Sequence, residues 1–358
     1  MKTIELDDYF IHIGSDTAFW DSFKTFVSDE RFGRKVIVVD ENTKRDCLPL
    51  LQQNAETTDW PTIEVKSGEK NKTLETCQEI WTQMMDLQLD RKTLVINLGG
   101  GVIGDMAGFC AATYKRGLYF VQIPTTLLSQ VDASIGGKLG VDFKTIKNTI
   151  GLFKNPEAVF VCSDFLKTLP FEELRSGYSE VIKHALIGDE LLWADLQKID
   201  LKTTTVDWEA LIHRSLLVKQ NVVSQDPFER GLRKILNFGH TIGHALESHA
   251  LETPQPLLHG EAIAIGMICE SWLAFAQKRL SEEDFKEIYQ LLLRQIPNRR
   301  APIEALQELI ALMQQDKKNE AGIINFTMVP RPGEAVYNIT APIPLISESL
   351  HRYNALLA

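Results

Sequence analysis

The sequence predicts an α/β half built on a parallel sheet, followed by a mainly α-helical half, and two observations carry that prediction. Up to about residue 160, short β-branched runs alternate with amphipathic stretches; beyond Pro170, to about residue 320, apolar residues recur at helical spacing instead. The strand-like runs are KVIVVD (35–40), TIEV (62–65), TLVINL (93–98), YFVQIP (119–124) and AVFVC (158–162). Strands separated by helical segments pair in parallel, because each crossover helix carries the chain back to the edge from which it started. The helical stretches include FEELRSGYSEVIKHALIG, WEALIHRSLLVKQNVV and GEAIAIGMICESWLAFAQKRL, and GIINFTMVP adds a late strand. The texture changes near residue 160, which divides the chain into domains 1–160 and 161–358.

TLVINL runs straight into Gly99, Gly100, Gly101, Val102, Ile103, Gly104 and Asp105, and then into an apolar helix. A glycine turn between strand and helix lets backbone N–H groups and the helix N-terminus approach a pyrophosphate, although tight turns also need glycine for positive φ alone. The spacing satisfies G-x-G-x-x-G on a later strand than usual. The next strand ends in Pro124, Thr125 and Thr126 rather than an acidic residue, and Asp40, Glu41 and Asn42 after KVIVVD offer the group that would hold a ribose.

With 358 residues, a formal charge of −10, 44% apolar residues and 24% charged ones, the chain reads as an ordinary globular protein with ample core. The acidic balance argues against nucleic-acid and anionic-membrane partners, since counterion release rewards basic faces. The first residues lack the basic head and unbroken apolar core of a signal peptide, and no window approaches eighteen apolar residues, so the expected compartment is the cytoplasm. Five scattered cysteines without a C-x-x-C pair indicate core packing rather than disulfides or a thiolate metal site.

Three stretches concentrate polar groups where neither core nor surface needs them. Asp132, Gly136, Gly137 and Lys138, followed by Lys147 and Asn148, form a glycine-flanked pair of cations suited to an anion. Glu180 and Lys183, three apart on a predicted helix, share a face as a site or as a surface ion pair. Arg233, Asn237, Gly239, His240, Gly243 and His244 precede His259, Gly260 and Glu261. Imidazoles joined by a carboxylate make an open metal site. His240 and His244 have the i, i+4 spacing of a helical ligand pair, yet no Glu follows His240, so the H-E-x-x-H reading fails and spacing leaves the ligand set open. His12, His213, His249 and His351 lack such company and read as structural.

The runs LGGGVIGDMAGFCAATYKRG, IPTTLLSQVDASIGGK, SEVIKHA, GLRKILNFGHTIGHALE and LHGEAIAIGM, in this order over about residues 35–320, closely resemble the 3-dehydroquinate synthase family of sugar-phosphate cyclases. The resemblance implies a Rossmann-like N-terminal domain that binds NAD⁺, a helical C-terminal domain that binds metal and substrate, one catalytic Zn²⁺ that Co²⁺ can replace, and a homodimer. It matches Glu180, His240 and His259 to the metal ligands, which sets aside the i, i+4 pair and makes His244 a substrate-binding, proton-handling histidine. Around NAD⁺ it places Asp40, Asn42, Glu69, Lys72, Gly99, Gly100, Gly101, Asp105, Thr125, Thr126 and Thr168, with Lys147 at the border with the substrate. The substrate pocket would be lined by Asp132, Lys138, Asn148, Lys183, Lys219, Arg233, Asn237 and Lys317, with Lys318 as the alternative to Lys317. Arg116 would reach across the dimer to the neighbouring active site.

The implied substrate, 3-deoxy-D-arabino-heptulosonate 7-phosphate, carries a carboxylate and a phosphate and so needs many cations. Lys138, Lys219 and Arg233 suit the carboxylate end, and Asn148, His244, Lys317 and Arg116 the phosphate. The implied reaction is a transient oxidation, phosphate elimination, reduction and aldol closure. Two features depart from the family pattern: the usual proline-glycine loop is replaced by residues 141–146, and Tyr178 stands where a small residue is common. Sister cyclases that act on other sugar phosphates, metal-dependent polyol dehydrogenases and a catalytically silent NAD-binding protein are the alternatives. Lys219, Arg233, Asn237, His244 and the Asp316–Lys317 pair favour the carboxylate-bearing substrate over those of the sister cyclases, a dehydrogenase would not need so many cations near its metal, and the intact metal and cation set argues against a silent protein.

Overall fold

The five predicted strands lie together in one sheet. In chain order the strands are β1 (Lys2–Glu5), β2 (Phe10–Ile13), β3 (Lys35–Asp40), β4 (Thr62–Val65), β5 (Leu94–Gly99), β6 (Tyr119–Pro124), β7 (Lys138–Phe143), β8 (Ile146–Phe153) and β9 (Ala158–Val161). The structure is a computed structural model that describes residues 1–6, 8–144, 146–251, 253–296, 299–315 and 323–357. It divides into two units, Met1–Pro170 with Trp208–His213 and Phe171–Asp207 with Arg214–Ala358.

In the first unit the sheet order is β1-β2-β9-β6-β5-β3-β4, with every neighbouring pair parallel except β1–β2. The predicted strands alone therefore run 2-1-3-4-5, a doubly wound order whose direction reverses between β3 and β5. At that reversal the loops leaving the two strands turn opposite ways and open a crevice at their carboxyl ends, which are Asp40 and Gly99. Both faces of the sheet are covered. Helices α1 (Thr17–Val27), α2 (Glu41–Asp46) and α3 (Leu48–Ala55) follow the early strands, and α1 and α3 supply Phe19, Phe23 and Leu51 to a core with Ile37, Ile96 and Phe160. On the other face α4 (Leu74–Asp86) and α5 (Gly101–Thr113) pack Ile80, Met84 and Met106 against Val36, Val38 and Val95. Burial on both sides is why these strands read as unbroken apolar runs.

Two features of this unit escape sequence reading. β1, at the edge of the sheet, and β2, between β1 and β9, are four-residue strands with exposed residues among the buried ones, and neither forms a β-branched run that stands out in the sequence. The β7–β8 hairpin occupies the segment that departs from the family loop. Its strands meet at Gly140 opposite Gly151, where a Cβ on Gly140 would sit 2.7 Å from the Ile150 carbonyl oxygen.

The second unit is helical: α6 (Phe171–Gly188), α7 (Glu190–Leu196), most of α8 (Trp208–Gln225), α9 (His240–Leu251), α10 (His259–Ala276), α11 (Glu282–Gln295), α12 (Leu306–Gln315) and α13 (Ile343–Leu356). The predicted late strand is β10 (Asn325–Arg331), paired antiparallel with β11 (Glu334–Thr340). α10 is buried on every side from Gly260 to Ala274 and packs against α6, α9, α11, α13 and β10. An apolar helix without a polar face belongs at the centre of a bundle, and this one is the axle of the unit. All five cysteines are buried and unpaired.

Tyr178, the bulky departure on α6, is fully buried, and its hydroxyl has no hydrogen-bond partner among the described residues. A buried unmatched hydroxyl is a liability whose removal restores the balance. Tyr178→Phe should leave stability unchanged or raise it by roughly 1 kcal/mol. A clear fall in the denaturation midpoint would mean that the hydroxyl is bonded.

Candidate active site

Three helices deliver one donor set. Glu180 projects from the middle of α6 with no exposed surface, His240 opens α9, and His259 opens α10. The Nε2 atoms of His240 and His259 lie 3.8 and 3.7 Å from Glu180 Oε1, and one ligand atom from each residue falls within 4.8 Å of the others. A tetrahedral ion with bonds of about 2.0–2.2 Å holds its ligand atoms roughly 3.4 Å apart, so a small adjustment accommodates one. The outer ring nitrogens are already occupied. His240 Nδ1 bonds the Phe238 carbonyl oxygen at 3.0 Å, and His259 Nδ1 bonds Glu247 Oε2 at 3.2 Å. Such bonds keep the proton on Nδ1 and leave the Nε2 lone pair for a metal. The residues present therefore fit a zinc-type ion.

Electrostatics agree with this. Burial disfavours a charged His259, yet the carboxylates of Glu247 and Glu180 outweigh it and raise its pKa to about 10. A dication would take over that neutralisation. Lys183 pairs with Glu180 and is only 1% exposed, so this pair is a buried one and the surface reading falls. His244 stands one turn beyond His240, with ring centroids 5.0 and 5.9 Å from His240 and His259. It belongs to an overlapping donor group with Glu247 and His259, beside the Glu180 set rather than in it.

Glycines bring these helices close enough. A Cβ on Gly260 would lie 1.9 Å from the Ser176 carbonyl oxygen, one turn before Glu180, and the Gly260 N–H donates to Ser176 Oγ at 2.9 Å. The carboxylate of Glu261 accepts the Leu258 N–H at 3.1 Å and Arg175 of α6 at 3.2 Å. The entry to α10, and with it His259, is pinned to α6.

Arg233 and Asn237 lie within a 3₁₀ segment, Leu232–Asn237, that packs on α6 and on the β10–β11 hairpin and leads into α9. Arg233 is 2% exposed and donates to the Pro227 carbonyl oxygen at 2.5 Å. Asp226 gathers the backbone N–H groups of Arg230, Gly231 and Arg233 at 2.9, 2.7 and 3.0 Å. Burial opposes its charge, but these donors hold its carboxyl below the usual range. Asn237 donates to Glu229 Oε1 at 2.9 Å. Lys219 is buried in α8. Sequence reading missed Asp226, Glu229 and Glu247, which orient other residues; only Asp226, before Pro227, carried a local turn signal.

In the first unit, most of the residues expected around a cofactor lie at or just after the carboxyl ends of β3, β4, β5 and β6. Asp40 caps α2 by accepting the Thr43 N–H at 2.8 Å, with exposed Asn42 beside it. Gly99 ends β5 and accepts the Thr125 N–H at 3.0 Å, while Gly100 and Gly101 begin α5. A Cβ on Gly100 would meet Thr126 Cγ2 at 3.1 Å, and one on Gly99 would meet Ile103 Cβ at 2.5 Å, so only glycine keeps this turn tight. Thr126 bonds Ser129 at 2.9 Å. Buried Lys72 joins Asp105 and Asn148, each at 2.6 Å, and Lys147 faces Glu69 at 3.7 Å. Burial raises the Asp105 pKa, which Lys72 partly offsets; burial works against Lys72, but Asp105 and Glu69 outweigh it and raise its pKa. Asn148, expected with the substrate cations, is thus tied to cofactor-group residues, and its N–H bonds Asp142 at 2.8 Å.

The remaining expectations are more dispersed. Asp132 lies in a π-helical turn, Ser129–Ala133, and Lys138 is exposed at the start of β7. Thr168 is exposed and closes a 3₁₀ segment through the Phe165 carbonyl oxygen at 3.3 Å. Arg116 is exposed on a turn where Lys115 and Arg116 adopt φ of 50° and 69°. Lys317 and Lys318 lie outside the described residues.

Gly260→Ala drives a methyl group into the α6 backbone and should cost roughly 3 kcal/mol or more. Chemical denaturation reads this directly. Stability within about 0.5 kcal/mol of the wild type, the range of a neutral surface change, would mean that the contact yields.

Comparison with known proteins accords with this geometry. Residues 62–176 match the family model described as 3-dehydroquinate synthase N-terminal, and residues 177–319 the one described as 3-dehydroquinate synthase C-terminal. A 3-dehydroquinate synthase of Parabacteroides distasonis is 38% identical over 329 residues, 92% of this chain and 93% of that one. One of Desulforamulus reducens is 40% identical over 345 residues, again 92% and 93%. Among solved structures, a 2-epi-5-epi-valiolone synthase from Streptomyces hygroscopicus with NAD⁺ and Zn²⁺ bound shares the fold, with a TM-score of 0.85 at 24% identity over 99% of both chains.

Proposed function

The chain belongs to the 3-dehydroquinate synthase family, and we propose that it converts 3-deoxy-D-arabino-heptulosonate 7-phosphate to 3-dehydroquinate and phosphate, with NAD⁺ and Zn²⁺ as cofactors. It is accordingly a phosphate-eliminating carbon–oxygen lyase of the shikimate pathway. The observation that carries the reading is the convergence of Glu180, His240 and His259, with their outer nitrogens already bonded and Lys183 buried against the same carboxylate.

We assign Glu180, His240 and His259 to Zn²⁺ and the crevice at Asp40 and Gly99 to Gly101 to NAD⁺. Bound there, the metal supplies a Lewis acid that acidifies a substrate hydroxyl, and NAD⁺ supplies a hydride acceptor that later returns the hydride. The protein's own groups hold the anion. Lys183, Lys219 and Arg233 are all nearly inaccessible, so water screens them weakly and a matching anion gains more from them. The planar fork of Arg233 suits the carboxylate, whereas the lysines act as point charges. Asp226 presents Arg233 by fixing its backbone, and Glu229 does the same for the Asn237 amide. His244 moves protons at the phosphate end, where the departing phosphate itself can accept the proton of elimination. Holding successive intermediates in one pocket supplies much of the remaining acceleration.

The domains 1–160 and 161–358 divide the work in this reading, the first holding NAD⁺ and the second metal and substrate. The working form is a cytoplasmic homodimer in which Arg116 serves the neighbouring site. Support for that role is the strained turn that projects it, since left-handed backbone at two successive non-glycine residues is seldom kept without use. No helix among the described residues is long and apolar enough to cross a membrane.

One assay separates the reading from its rivals. Incubation with the heptulosonate phosphate and trace NAD⁺ should release phosphate with no net NADH; NADH without phosphate would indicate a polyol dehydrogenase, and neither product a sister cyclase for another sugar or a silent protein. Chelation should abolish turnover, with recovery on adding Zn²⁺ or Co²⁺, and full activity in metal-free protein would overturn the metal assignment. Arg233→Ala should lose on the order of 2–5 kcal/mol in kcat/KM, because one end of a buried anion goes unpaired. A loss below about threefold, or 0.7 kcal/mol, would remove Arg233 from the pocket.

A further inference from the structure

Glu270 lies in the apolar helix α10 with no exposed surface. An ionised carboxylate in such a place is expensive unless its oxygens are bonded. Its oxygens are bonded to backbone of another helix. Oε2 accepts the N–H of Gly239 at 2.7 Å, and Oε1 accepts those of Thr241 at 3.1 Å and Ile242 at 3.3 Å. These groups flank His240 at the start of α9, where N–H groups have no partner within the helix. The usual provider would be the residue before the helix, but that residue is Gly239, with φ of +79° and no side chain. The cap comes instead from a residue far along the chain, and its negative charge meets the positive end of the α9 dipole.

We propose that Glu270 is a positioning residue for the metal centre: it clamps the backbone on both sides of His240, and so sets where that ligand and His244 stand relative to His259. The inference rests on the metal assignment above. Its force comes from α10 carrying both parts. His259 and Glu270 are eleven residues apart, about three helical turns, so they lie on one face of a rigid element. Gly266 lies on that face between them, and a Cβ there would come within 1.9 Å of the Gly239 carbonyl oxygen. One helix therefore presents one ligand through a side chain and holds the backbone of a second through a carboxylate. A shift of α9 along α10 would have to break three charge-assisted bonds.

Cobalt titration of metal-free protein tests this, comparing the wild type with Glu270→Gln and Glu270→Asp. Gln keeps the volume but turns an acceptor into a donor that faces backbone N–H groups; Asp keeps the charge and draws it back by about 1.5 Å. Glu270→Gln should retain its helical circular dichroism, bind Co²⁺ roughly 10- to 100-fold more weakly, and shift the visible cobalt bands. Glu270→Asp should recover part of that loss. Should Glu270→Gln not fold, Glu270→Asp alone decides, with a cobalt affinity below that of the wild type. Wild-type affinity and an unchanged cobalt spectrum in a folded variant would overturn the clamp even if its melting point fell. If the wild type takes up no cobalt, or His240→Ala takes it up equally well, the metal assignment fails and the inference falls with it.

Discussion

The second unit depends on backbone-to-backbone contact along α10. At Gly260 the helix touches the carbonyl of Ser176 in α6, and at Gly266 it touches that of Gly239 before α9. Any side chain at either place would push a neighbour outward. On the metal assignment proposed above, close contact matters because the three helices each supply one donor, and a metal site tolerates displacements of only a fraction of an ångström. The glycines set the distance, and the polar groups beside them, Ser176 and Arg175 on α6 and Glu270 on α10, hold the helices in register.

Charge follows the same logic at a larger scale. Among the described residues, four cations (Lys72, Lys183, Lys219 and Arg233) and four carboxylates (Glu180, Glu247, Glu261 and Glu270) are buried. They balance, so the acidic excess among the described residues lies outside this buried set. A buried charge persists only with partners, and the buried acids here are tied to histidine, lysine, arginine or backbone donors. In the first unit, Lys72 and Asp105 play the same part beside the glycine turn.

Much of the architecture was legible because its signals are local. Central parallel strands are apolar on both faces, so KVIVVD, TLVINL and YFVQIP announced themselves, and each strand appears within a residue of its expected limits. The glycine turn and the histidine cluster were also visible as composition. Strands β1 and β2, the β7–β8 hairpin and β11 were not, because partly exposed strands carry little periodic contrast. Asn148 illustrates a subtler limit: its neighbour Lys147 and the glycine-flanked Lys138 suggested an anion pocket, whereas its partner, Lys72, lies far back in the sequence.

By itself, the sequence determined the parallel sheet, the helical second half, and the residue types available for metal and anion binding, since all of these follow from composition and periodicity along the chain. Composition and spacing did not decide which of those residues meet; the family resemblance matched Glu180, His240 and His259, and the tertiary structure is what brings them together. The i, i+4 spacing of His240 and His244 pointed to one pair, but the Nε2 atoms that converge on Glu180 belong to His240 and His259, on different helices. Glu247 and Glu270 gave no signal at all, because a carboxylate that orients a ring or caps a foreign helix is recognised by what lies across from it. Periodicity reports which face of an element is buried; the distance between two elements is set by side chains on both, and no single stretch of sequence contains that information.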